Sequence, residues 1–144
     1  MADALAILNI LRDKIAGYLT EGLGNFEQDS EGDFLIEYET ARIMVCPRTW
    51  SEGKTIVKVF SITNLDVPES PALFEFIAKE NFRLLIGHFS YDEDNLAVWL
   101  EHVLLGEEIN KESLMTVITT IAILADRFDN VIKQKFGGIL YTEA

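Results

Sequence analysis

In the opening stretch "DALAILNILRDKIAGYLTEGLG", Leu8, Leu11, Ile15, Tyr18 and Leu19 fall at helical spacing, with Asp3 available as a cap and Gly22 or Gly24 as a stop. This predicts an amphipathic helix. Beyond Asn25 the period drops to two, and the polar breaks "SEGD" and "SEGK" divide the chain into three antiparallel strands over 33–39, 42–49 and 55–63. Pro47 interrupts the middle strand, because proline brings no ladder donor, so a bulge or strand end is expected there. "PESPALFEFIAKENF" then predicts a short second helix, with Pro71 in its first turn and Leu73, Phe74, Ile77 and Ala78 sharing one face.

Two further strand-like runs, "RLLIGHFSY" and "LAVWLEHVLL", are joined by "DEDN", whose side chains favour a turn by bonding their own backbone. Closing that hairpin pairs Asp92 with Asn95 and Tyr91 with Leu96, so His88 faces Trp99 and His102 faces Leu85. One face collects Leu85, Gly87, Phe89, Tyr91, Leu96, Val98, Leu100 and Leu104 and is expected to meet the helices. The other carries Leu84, Ile86, His88, Ser90, Ala97, Trp99, Glu101 and Val103, too apolar a patch for open water. Leu84, Ile86, His88, Ala97, Trp99 and Val103 are therefore the candidate dimer or client surface. The third strand behaves similarly, since Ile56, Phe60 and Ile62 alternate with Val57 and Val59.

"NKESLMTVITTIAILADRFDNVIKQKFGG" predicts a long final helix, from an Asn110 cap to Gly137 and Gly138, with a stripe of Leu114, Val117, Ile118, Ile121, Leu124, Ala125, Phe128 and Ile132. The order is helix, three strands, helix, two strands, helix: a two-layer α+β fold with helices on one face of an antiparallel sheet. At 144 residues and 49% hydrophobic content, the chain suits a single domain over 1–144.

A formal charge of -12 opposes nucleic acids and anionic membranes, which are bound by lysine and arginine, so neither is expected as a partner. No apolar run reaches the roughly 18 to 20 residues that span a bilayer. The lone Cys46 cannot form an internal disulfide, and the first twenty or so positions lack an export signal's basic start and unbroken apolar run, which makes a cytoplasmic location the expectation.

Candidate chemistry is sparse. His88 and His102 fall on opposite faces of the hairpin and cannot share a metal, and the acidic tip fails as a calcium loop because Leu96 and Ala97 stand where a ligand and a glycine are needed. Cys46 reads as a small buried residue rather than a nucleophile. No phosphate loop or hydrolase motif occurs, so no catalytic residue, cofactor or metal is assigned.

The strand order, together with Asn81 before the fourth strand, Gly87 and Phe89 as "G-x-F", Asp92 opening the acidic turn, and Ala125 and Asp126 as "AD" in the last helix, resembles the YbjN-like family. That family's fold is similar to the type III secretion chaperones. The resemblance implies a small acidic homodimer that binds another protein, a client or a regulatory partner. The reading is therefore a non-enzymatic, chaperone-like or regulatory protein-binding module. The alternative, a small enzyme or ligand-binding regulator with an unrecognised pocket, would require titratable side chains converging in one cleft.

Overall fold

The computed structural model describes residues 3–144; Met1 and Ala2, where the stretch read for an export signal begins, lie outside the described residues. The elements are α1 (Ala4–Gly22), β1 (Glu27–Gln28), β2 (Phe34–Tyr38), β3 (Ala41–Ser51), β4 (Lys54–Leu65), α2 (Pro71–Arg83), β5 (His88–Asp92), β6 (Ala97–Leu105), α3 (Lys111–Phe136) and β7 (Ile139–Leu140). The sheet is antiparallel throughout, in the order β1-β2-β3-β4-β6-β5, with β7 paired to β4. This is the expected α+β arrangement, extended by the two-residue strands β1 and β7. The β7 pairing has a simple cause: the β3 ladder stops at Met44 and Phe60, so the β4 edge beyond Phe60 is open to Ile139 and Leu140.

Local chemistry sets the helix ends. Asn110 accepts from Ser113 N at 2.8 Å while Ser113 Oγ accepts from Asn110 N at 3.3 Å, a reciprocal cap that starts α3. Gly137, at φ 88°, stops it. From α3, Leu114, Val117, Ile118, Ile121 and Ile132 are buried against Leu11, Ile15 and Leu19 of α1 and against Ile43, Val45, Val57, Val59, Val98 and Leu100 of the sheet. The core thus lies on one side of the sheet.

Four expectations are corrected. Pro47 sits inside β3 opposite Val57, and the register shift falls later, between Thr49 and Ser51. The β2 ladder has already ended at Val45, so Pro47 occupies an open edge where its missing N–H withdraws nothing, and its carbonyl accepts from Arg48 Nη1 at 2.8 Å. In α2 the core face is Leu73, Phe76 and Ile77, whereas Phe74 and Ala78 point outward. The hairpin is slipped by two residues from the expected pairing: Asp92 faces Ala97, Tyr91 faces Val98 and His88 faces Glu101. Leu96 joins the turn at φ 50°, and a slip of two leaves every β5 and β6 side chain on its expected face. Finally, 84–87 is a connector rather than strand, because α2 continues to Arg83, so Leu85 is 98% exposed instead of lining the inner face.

Cys46 is buried beside Asp33, which Arg48 grips through two bonds of 2.5 and 2.7 Å. Burial, aided by the Asp33 carboxylate, pushes the Cys46 thiol up to about 12. Thiolate content near neutral pH is then far below that of a free cysteine, and alkylation by iodoacetamide should be slowed by more than about tenfold. Mass spectrometry of timed aliquots checks this; labelling at the rate of a free thiol would mean that the 33–48 corner opens in solution.

Candidate protein-binding surface

Alternation along β4, β5 and β6 directs half of their side chains away from the helices. The pairings Ile56 with Leu105, Lys58 with Val103, Phe60 with Glu101 and Ile62 with Trp99 place these eight on the outer face, and β5 adds His88 and Ser90. None of the ten belongs to the core cluster. Val103 and Leu105 are 43% and 55% exposed, and Ile56, Phe60, Ile62 and Trp99 are half-buried.

Trp99 and Phe60 stack with ring centroids 4.5 Å apart. Lys58 Nζ lies 5.6 Å from the Trp99 ring and 3.0 Å from Glu101 Oε2, while Glu101 Oε1 is 3.1 Å from His88 Nε2. One carboxylate thus bridges two basic groups across an apolar field. These bonds orient Lys58 along the aromatic pair, so the face offers a flat hydrophobic platform with a polar centre. Trp99 Nε1 is buried and has no acceptor among the described residues.

Of the six candidate surface residues, His88, Trp99 and Val103 lie on this platform. Ala97 shares the face by register but is 1% exposed, because Val67 N donates to Leu96 O at 2.9 Å and holds the end of the 65–67 turn nearby. A pocket of about 250 Å³ remains there, lined by Ile62, Leu65, Asp66, Asp92, Asn95, Ala97 and Trp99. Leu84 and Ile86 sit in the connector and pack against the core. The platform also carries Phe60 and Ile62, from the strand whose apolar residues alternate on both faces in the sequence, and Leu105, which the sequence reading did not single out.

The histidines are separated as expected. His102 faces the opposite side from His88, its Nδ1 accepts from Gly87 N at 3.1 Å, and burial lowers its pKa, which keeps the ring neutral. The acidic tip is a turn in which Asp92 accepts from Asp94 N at 3.1 Å and from Asn95 Nδ2 at 2.7 Å. Among the described residues, no group of three or more His, Cys, Asp or Glu is placed to hold a metal, and no helix is long and apolar enough to cross a membrane.

Two residues shared with the YbjN-like pattern have a structural use. Asn81 Oδ1 accepts from Phe89 N at 2.6 Å and Asn81 Nδ2 donates to Phe89 O at 3.1 Å, so one side chain satisfies both backbone groups on the open edge of β5. Gly87, at φ 85°, turns the connector into that strand.

A family model described as "T3SS (YopN, CesT) and YbjN peptide-binding chaperone 1" matches residues 9–144. No curated protein matches the chain. Among solved structures, the Yersinia pestis type III secretion chaperone SycH in complex with a stable fragment of YscM2 is similar at 18% identity and TM-score 0.59, covering 81% of this chain and 98% of that one. The ExsC–ExsE complex gives 18% identity and TM-score 0.58 over 91% and 96% of the two chains. The HopA1–SchA chaperone–effector complex gives 8% identity and TM-score 0.66 over 90% and 99%. At these identities the likeness is one of fold.

Proposed function

Since the chain belongs to the T3SS and YbjN peptide-binding chaperone family, we propose that it holds a segment of a client protein on the outer face of its sheet. It acts there as a non-enzymatic, chaperone-like or regulatory module, as a small acidic homodimer in the cytoplasm, where its single thiol stays reduced. The observation that carries this reading is the open apolar platform around Trp99 and Phe60, together with His88 and Val103. A partly open apolar face with a few charged groups suits a protein partner better than a small molecule. The structures of SycH with a YscM2 fragment and of SchA with HopA1 give the same architecture a protein ligand.

A net charge of -12 favours client segments that carry lysine or arginine beside apolar residues. Peptides of that composition, arrayed with acidic and uncharged counterparts, should be retained by the purified protein. Trp99→Glu is expected to weaken that retention by about tenfold or more, as loss of a central aromatic anchor does. Full retention by the variant would move the site off this face, and a wild-type protein that retains no peptide would overturn the chaperone reading.

A further inference from the structure

The outer platform ends in a hollow. On β6, Trp99 stands between Glu101, whose partner Phe60 stacks on the ring, and Ala97, where the pocket of about 250 Å³ begins. One flank of the indole is therefore taken by Phe60, and the other opens on the pocket. Trp99, Ile62, Leu65 and Ala97 give it apolar walls, and Asp66, Asp92 and Asn95 line the rest. Its volume falls below the roughly 300 to 1,000 Å³ of most small-molecule sites and suits a single long side chain.

Its charge is all of one sign. Among the described residues no lysine or arginine lines the pocket, and Lys58, the cation beside Trp99, is held at 3.0 Å by Glu101 on the Phe60 side. Asp66 and Asp92 come from separate segments, and Val67 N, donating to Leu96 O at 2.9 Å, ties the two together. Asp92 accepts from Asn95 Nδ2 and from Asp94 N, bonds that lower its pKa and keep it ionised at neutral pH. Burial, Glu69, Asp92 and Glu93 together raise the pKa of Tyr91, so the acidic field extends past the pocket rim.

We infer that this pocket takes one arginine side chain of the client segment, with its stem against Ile62 and Leu65, its guanidinium beside the free flank of Trp99, and its N–H groups on the carboxylates of Asp66 and Asp92. The inference rests on the client reading of the platform and deepens it by naming the side chain that fixes the segment's register. A planar guanidinium lies along an indole ring and presents its donors in a fixed fork, so it serves carboxylates on two walls at once. A lysine ammonium is a more strongly hydrated point charge and gives up more on leaving water. An apolar side chain would strip water from both carboxylates and return no partner.

Short peptides of leucine, phenylalanine and serine with a single arginine, and the same peptides with citrulline, lysine or leucine in its place, test the assignment. Citrulline keeps the shape and removes the charge, so it should bind the wild type about fivefold more weakly, the scale of a part-exposed ion pair. Asp66→Asn leaves a residue that tolerates the φ of 56° there, so the melting temperature should hold. In that variant the arginine peptide should weaken by a similar factor while the citrulline peptide does not, which shrinks the difference between them. Lysine or leucine bound as tightly as arginine, or an arginine–citrulline difference that is the same in the variant, would overturn the pocket assignment alone. If the wild type binds none of these peptides but retains others from the array, the pocket falls and the client reading stands; if it retains no peptide at all, both fall.

Discussion

Phe89→Ala is expected to lower the unfolding free energy by about 3 to 5 kcal/mol, the range for removing a buried aromatic ring and leaving a cavity. Phe89 is 2% exposed and stands where α2, α3 and the sheet edge meet, with the Phe128 ring 5.2 Å away at 88° and the Phe76 ring 6.4 Å away. Little nearby can collapse into the space, because the Phe89 backbone is pinned on both sides: β6 holds one edge and Asn81 the other. Urea denaturation followed by circular dichroism measures the effect. A loss under about 1 kcal/mol, the scale of an exposed site, would mean that the three elements are not packed around this ring.

Gly138→Ala is expected to cost at least about 2 kcal/mol, because it combines backbone strain with a steric clash. Gly138 has φ 79°, and a Cβ there would collide with Leu65 O and lie 3.0 Å from Asp66 O, backbone atoms that cannot swing aside. Relief would require pulling Ile139 and Leu140 off the β4 edge. The neighbouring Gly137 is the internal control for backbone strain: at φ 88° and ψ -159° it is in a region open essentially to glycine, but nothing lies within 4 Å of an added Cβ, so Gly137→Ala should cost the strain alone, about 1 to 3 kcal/mol, and less than Gly138→Ala. Thermal melts of the two variants separate the contributions. Equal losses at the two positions would show that the approach of residue 138 to the 65–66 turn is looser than described.

The sequence by itself determined the elements whose cause is local. The Leu11, Ile15 and Leu19 stripe of α1, the Asn110 cap and Gly137 stop of α3, and the period of two through β2, β3 and β4 all follow from side-chain spacing and backbone preference within one element. It also determined which hairpin residues share a face, since a slip of two residues leaves the alternation unchanged. Only the tertiary structure decided the rest. "LLIG" reads equally well as strand or connector, and it became a connector because Phe76 and Ile77 bury α2 against Phe89, carrying the helix on to Arg83. Pro47 was admitted to β3 because β2 ended before reaching it, and β7 formed because β3 left part of β4 unpaired. Phe74 and Ala78 turned outward for the same kind of reason: a helix with apolar residues on several sides buries the side that its neighbours can cover, and that choice rests with strands far away in the chain.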